Sequence, residues 1–165
     1  MPVTVRHAVL NDVEGILAIV NYAILHTTAV YDYAPRLLTD MQEWFYEKEQ
    51  AGHPVIVAET DNVIYGYGTY GQLKAKEGYK YCVEHSVYVA QGHQDKGIGR
   101  LLLSQLIQIA KAQGMHSMVG IIDADNDSSI AFHEKFGFTK TGILKQAGYK
   151  FDKWLDVQFM QLMLH

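Results

Sequence analysis

One segment restricts the fold of this chain more than any other. Ile98, Leu101, Leu102, Leu106, Ile109 and Ala110 recur at helical spacing, so a long helix with one apolar face runs here and needs an apolar surface to lie on. Gly114 is placed to end it in the left-handed conformation. Just upstream, the β-branched and aromatic residues between Tyr79 and Ala90 read as a strand, and Gln94-Asp95-Lys96-Gly97-Ile98-Gly99-Arg100 joins the two. Strand, glycine turn and amphipathic helix together require a sheet with a helix packed on it.

The flanking segments extend the same layer. A short strand near Val3 to Ala8 precedes Val13, Ile16, Leu17, Val20 and Ile24, which mark a helix behind the possible caps Asn11 and Asp12. A loop from Thr27 to Leu38 leads to Thr39, with Gln42 in capping-box position, ahead of Trp44 and Phe45 in a second helix. Pro54 to Glu59 and Val63 to Tyr70 read as a hairpin turning at Thr60, Asp61 and Asn62. Met118 to Ile122 is a buried strand, Asn126 to Phe136 a helix stopped by Gly137, and Phe138 to Leu144 and Trp154 to Leu164 two closing strands. The order βααβββαβαββ predicts an α/β chain with a mixed sheet and helices on both faces. At 165 residues with 48% hydrophobic side chains, residues 1–165 are expected to form one domain around a full core.

Charge narrows the partners. The net charge of −4 excludes a broad phosphate-binding surface, so nucleic acid is not an expected partner. The charge is uneven: residues 1–90 carry 6 basic and 11 acidic groups, residues 91–165 carry 8 and 7. A lone cysteine, Cys82, has no disulfide or CxxC partner, which favours a reducing, cytoplasmic setting. No signal-peptide pattern and no apolar run of ~20 residues is present, so no membrane association is expected.

The glycine segment also carries chemistry. Glycines at the mouth of a helix let successive N–H groups converge where the helix dipole adds positive potential, which suits an anion such as phosphate. Gly92 and Gly97 have P-loop spacing, but Ile98 and Gly99 stand where lysine and serine or threonine belong. Gly97-Ile98-Gly99 opens a GxGxxG, but Leu102 occupies the third glycine position. A plain helix-opening turn is the alternative.

Gln94-x-x-Gly97-x-Gly99 after a strand resembles the acyl-CoA pyrophosphate loop of the GNAT superfamily of N-acetyltransferases, and Asn126-x-x-Ser129-x-x-Phe132-His133-x-x-x-Gly137-Phe138 is similar to its second signature. Val83-Glu84-His85-Ser86-Val87-Tyr88-Val89, His133 to Phe138, Trp154 to Val157 and the Thr27 to Arg36 loop resemble the phosphinothricin and methionine sulfone/sulfoximine acetyltransferase branch. The resemblance spans essentially the whole chain. It implies the GNAT fold with a mostly antiparallel twisted sheet, acetyl-CoA as co-substrate, and transfer of acetyl to the α-amino group of a small amino acid. It also suggests a homodimer, as do 11 tyrosines, which invite exposed aromatic surface.

Amine attack on a thioester needs a base, and Glu84, among Tyr81, Val83, Val87 and Tyr88, is the candidate; an outward-facing strand carboxylate is the bland alternative. The resemblance implies a main-chain N–H at Val87 for the oxyanion, Val89 beside it for pantetheine, and a strand bulge that opens this edge. It places CoA contacts at Gln94, Lys96, Gly97, Ile98, Gly99 and Arg100, and at Asn126 and Ser129. His133 stands where many members have a tyrosine that protonates the leaving thiolate; it acts as that acid or only hydrogen-bonds the sulfur or the pantetheine. Tyr31, Tyr33 and Lys74 are candidates for the acceptor pocket, with surface packing and a solvated charge as alternatives; the branch tends to carry arginine near Lys74. No histidine spacing suits a metal, so none is expected. Other acceptors, such as a polyamine, an antibiotic amine or a protein N-terminus, keep the same fold, and an acyl-CoA sensor would lack the base.

Overall fold

Local chemistry decides most boundaries in the computed structural model, which describes residues 2–165. Strand β1 (Thr4–His7) leads through a short 3-10 turn into helix α1 (Val13–His26). Asp12 does not cap α1 forward. Its carboxylate accepts the Val9 N–H at 2.8 Å and is gripped by the Arg6 guanidinium at 2.7 and 3.0 Å, so it ties the turn to β1. Helix α2 (Leu38–Ala51) starts ahead of the expected Thr39 cap, because Asp40 accepts the Leu37 N–H at 3.0 Å and closes the first turn there. Strands β2 (Val55–Thr60) and β3 (Val63–Gln72) meet at Asp61 and Asn62, both with φ near +60°, as a two-residue type I′ turn requires.

Strand β4 (Cys82–Val89) precedes helix α3 (Ile98–Ala112), which Gly114 terminates at φ +77°. The buried stripe of α3 runs through Ile98, Leu102, Leu103, Leu106 and Ala110. Leu101, expected inside, is outside, and Leu103 replaces it. Strand β5 (Ser117–Asp123) and helix α4 (Asp127–Glu134) follow, α4 ending ahead of Gly137 at φ +94°. Strand β6 (Thr139–Lys150) runs six residues past the expected end at Leu144, pairing with β7 (Lys153–Met163) across an irregularity between Leu144 and Gly148. There Gln146 turns to φ +51° and donates its N–H to Asp156 at 2.8 Å. The break in alternation at Lys145 to Gly148 hides the second half of the strand from a periodicity reading.

The seven strands form one sheet in the order β1-β2-β3-β4-β5-β7-β6. All neighbours are antiparallel except β4 and β5. On one face, α3 buries Leu102, Leu103 and Leu106 against Ile56, Val83, Met118 and Met160. At roughly 1.5–3 kcal/mol per fully buried aliphatic side chain, this stripe is a main source of stability. On the other face, α1 and α2 enclose a second cluster with Val55, Val57 and Tyr67. The helices thus lie on both faces, as expected.

The functionally important departure is in the middle of the sheet. The parallel ladder between β4 and β5 holds only for Cys82↔Ser117, Val83↔Met118 and Glu84↔Val119, after which the strands part. The expected bulge does not cause this. β4 keeps an unbroken register with β3 from Gln72↔Val83 to Gly66↔Val89.

Candidate active site

The pleat divides β4 between two environments. Val83 and His85 are buried, Val83 in the α3-side core, whereas Glu84, Ser86 and Tyr88 line a cavity of about 180 Å³ toward α1 and α2. Thr69, Gln72, Lys48 and Arg36 add to its polar lining. Glu84, Ser86 and Tyr88 also border a neighbouring cleft with Tyr31 and Asp123. That cleft shares His85, Ile121 and Asp123 with a third, which contains Val87, Asn126, Ser129 and His133. The three spaces follow β4 where it parts from β5, with Glu84 at the junction of the first two.

Glu84 is half-buried, and among the described residues no ion pair or hydrogen bond closes on its carboxylate. Burial pushes its pKa above the ordinary carboxylate value, while the Lys48 charge pulls it partly back. A carboxylate in this state can take a proton from an amine near neutral pH. Burial in turn pushes the Lys48 ammonium down, and Glu84 opposes that shift.

His133 is held at both ring nitrogens. Its Nδ1 is 2.7 Å from the Ser129 carbonyl oxygen, which only accepts, so Nδ1 carries the proton. Its Nε2 lies 3.0 Å from Nε2 of His85 and must accept the His85 proton. His85 Nδ1 is then a buried lone pair with no partner. Burial, then the neighbouring imidazole, pushes His85 down to about 3, and burial also lowers His133. Neutral His133 therefore has no proton at Nε2 to give a leaving thiolate, which argues against the general-acid role, and with both ring nitrogens engaged it has none free to hydrogen-bond the sulfur or the pantetheine. Gly120 makes room for the pair: a Cβ there would stand 3.2 Å from His85 Nε2 and 3.3 Å from His133 Nε2.

The glycines between β4 and α3 take the left-handed conformation. Gly92 and Gly97 lie at φ +84° and +81°, with Asp95 at +63° between them. Gly97 caps α3 without any side-chain partner, so the first-turn N–H groups of Ile98, Gly99 and Arg100 have no acceptor one turn back. Ile98 is buried and offers only its backbone, whereas Lys96 and Arg100 are exposed at the loop. Gln94 folds back into the loop, accepting the Gly92 N–H at 2.9 Å. Asn126 caps α4, accepting from the Ser129 N–H and the Ser128 hydroxyl, each at 3.1 Å. Val89 approaches Gly99 across the loop.

Two expected pocket residues are elsewhere. Tyr33 is 64% exposed and donates to the Tyr149 carbonyl, beside a separate groove on the β6–β7 hairpin. Lys74 is exposed in the β3–β4 connection and does not line the Glu84 cavity. Tyr31 does border the neighbouring cleft, its loop pinned by buried Lys150, which donates to the Thr27 and Val30 carbonyls at 2.6 and 2.5 Å. Lys48, Arg36, Ser86, Tyr88 and His85 are the lining residues missed. Ser86 and Tyr88 follow from period-two alternation once Glu84 is chosen; for Lys48 and Arg36 no local pattern exists. Among the described residues, no group of three or more histidine, cysteine, aspartate or glutamate side chains gathers to hold a metal, and no helix is long and apolar enough to cross a membrane.

A central sheet parted beside a half-buried carboxylate, with a glycine turn opening the next helix, leaves room for an extended ligand along β4 next to a group able to take a proton. The chain belongs to the GNAT acetyltransferases: the family described as Acetyltransferase (GNAT) family matches residues 20–138. It is an acetyl-CoA-dependent N-acetyltransferase. It is 42% identical over 161 residues to the L-methionine sulfoximine/L-methionine sulfone acetyltransferase of Salmonella typhimurium, covering 98% of this chain and 94% of that one. It is 38% identical over 162 residues to the phosphinothricin N-acetyltransferase of Streptomyces viridochromogenes, covering 97% and 87%. An acetyltransferase from Salmonella typhimurium, solved with its cofactor acetyl-CoA, superposes with a TM-score of 0.96 at 42% identity over 99% of this chain and 94% of that one.

Proposed function

We propose that this enzyme acetylates the α-amino group of a small amino acid of the methionine sulfone, methionine sulfoximine or phosphinothricin type, with Glu84 as base. The observation that carries the reading is the position of Glu84: half-buried, unpaired and shared by two cavities beside the parted strands. The names of the relatives support the acceptor class.

The donor lies along the parted edge of β4, its pyrophosphate against the first-turn N–H groups of α3 and the Lys96 and Arg100 charges, its arm beside Val89, Asn126 and Ser129. The acceptor arrives as an ammonium and gives a proton to Glu84, directly or through a water. Its nitrogen then bonds to the thioester carbon, the Val87 N–H holds the oxygen as charge develops, the C–S bond breaks, and the nitrogen sheds its second proton to solvent to leave the neutral amide. The thiolate leaves with its electron pair and takes a proton from solvent, since the paired imidazoles have none to give.

Exposed Ile143, Leu144, Phe151 and Trp154 on the β6–β7 hairpin support a homodimer, and the free thiol of half-buried Cys82 supports a cytoplasmic setting.

Glu84→Gln tests the base. Thiol release from acetyl-CoA with methionine sulfone is expected to fall at least ~100-fold at neutral pH, with acetyl-CoA affinity by calorimetry within about twofold. In the wild type, kcat/KM should rise with pH through a pKa above the ordinary carboxylate value, since burial raises it. A Glu84→Gln enzyme of undiminished turnover would remove Glu84 as the base.

A further inference from the structure

We infer that Lys48 anchors the acceptor's α-carboxylate, so that the Glu84 cavity recognises an amino acid by both of its charges and rejects amines that lack the acid group. This rests on the acceptor reading above and adds a specificity-determining residue to it.

The placement comes from the register of the sheet. Glu84 stands directly opposite Gly71 in the β3–β4 ladder. Gly71 has no side chain, and Lys48 from the last turn of α2 fills that place: a Cβ built on Gly71 would lie 3.2 Å from the Lys48 Nζ. The ammonium therefore occupies the cross-strand position beside Glu84, where neighbouring Cβ atoms stand roughly 5 Å apart. It stops short of pairing: among the described residues no Lys48–Glu84 contact falls within ion-pair distance. Lys48 spends one donor on the Tyr70 carbonyl at 3.0 Å, and its other two N–H groups have no acceptor among the described residues.

A half-buried ammonium with two free donors and a half-buried carboxylate with free acceptors thus line one cavity without neutralising each other. That pattern is the complement of a zwitterion, ammonium to Glu84 and carboxylate to Lys48. Arg36 adds a second cation to the lining, but Asp32 holds its guanidinium at 3.2 Å, so it is partly neutralised and Lys48 is the free charge. A polyamine or a protein N-terminus offers no carboxylate at that spacing and leaves Lys48 facing an empty or cationic neighbour.

The test pairs a change in the protein with a change in the substrate. Thiol release is measured with methionine sulfone and with its carboxamide, for the wild type, Lys48→Met and Lys48→Arg. A charge-assisted hydrogen bond is worth enough to predict that wild-type KM is ~10- to 100-fold higher for the carboxamide. Measured on the alkaline plateau where Glu84 is ionised in every variant, Lys48→Met should raise KM for the acid by a similar factor, leave KM for the carboxamide within about threefold, and leave kcat for both within about threefold. Lys48→Arg should recover most of the lost affinity. Equal wild-type KM values for acid and carboxamide would overturn the anchor while leaving acetyl transfer intact. A Lys48→Met defect equal for both substrates, or confined to kcat, would also overturn it and assign Lys48 to Glu84 instead. Failure of the wild type to acetylate either compound would overturn the acceptor reading and this inference together.

Discussion

The buried imidazole pair makes a sharp prediction about acid stability. His85 is 8% exposed, and burial together with His133 holds it at about 3 in the folded protein, against an ordinary value of about 6.5 in the unfolded chain. Between those values the unfolded chain binds a proton that the folded protein refuses, so stability rises with pH. The contribution is complete above about pH 6.5 and is lost progressively as pH falls toward 3. At pH 5 the unfolded imidazole lies 1.5 units above ambient pH, which at about 1.36 kcal/mol per unit is a loss of about 2 kcal/mol. That figure needs only that the folded value stay below 5. His85→Gln removes the titration while keeping an N–H able to donate to His133 Nε2. Urea unfolding at pH 7 and pH 5, extrapolated to water, should show the wild type losing about 2 kcal/mol more than the variant over that interval. Glu84 and His133 remain in both proteins and largely cancel. Parallel losses, within about 0.5 kcal/mol, would refute a buried His85 that stays neutral at pH 5.

Two further substitutions probe the loops around the site. Gly97→Val forces a β-branched residue to φ +81°, at a strain of about 1–3 kcal/mol, and should weaken acetyl-CoA binding at least ~10-fold by calorimetry; unchanged affinity would detach the loop from the donor. Gly148→Ala puts a Cβ 2.6 Å from the Tyr31 ring, so the ring must swing toward its cleft; we expect a several-fold rise in acceptor KM and a stability loss of about 1–3 kcal/mol, with Tyr31→Ala restoring the stability.

What was readable from the chain divides by the range of the interaction that decides it. The α3 helix, the Asp61-Asn62 turn and the glycines at 114 and 137 are local decisions, written in a few adjacent residues. The α2 start falls ahead of the Thr39 cap that the sequence suggests, because Asp40 in the first turn accepts the Leu37 N–H and so makes Leu37 the cap, although a leucine side chain cannot announce it. The end of β6 was missed because its second half depends on Asp156, ten residues away, to satisfy an irregular backbone. Likewise Val87, Asn126, Ser129 and His133, named from their motifs, do line one cleft. Tyr33 and Lys74, named from their place in a loop, do not reach the Glu84 cavity. Lys48 was invisible for a different reason: it reads as a basic residue ending an exposed helix, and only the missing side chain at Gly71 reveals where it goes.

The three-pair seam between β4 and β5 also governs how this molecule can move. On the α3 side one apolar cluster runs across it, with Ile56, Val83 and Leu102 from one half and Met118, Ile122 and Met160 from the other. On the opposite side the cluster under α1 and α2 includes no residue of β5, β6 or β7. Apolar packing crosses the seam on one face only, like two leaves joined at a spine; on the other face the halves meet through loop hydrogen bonds, Thr28 to Asp123 and Lys150 to the Thr27 and Val30 carbonyls, and no ladder continues beyond Glu84. Opening on that face strains those hydrogen bonds rather than a ladder, and how Leu102 and Met118 pack sets the width at the spine. Core substitutions at those two positions should change turnover through the width of the opening before they change whether the protein folds.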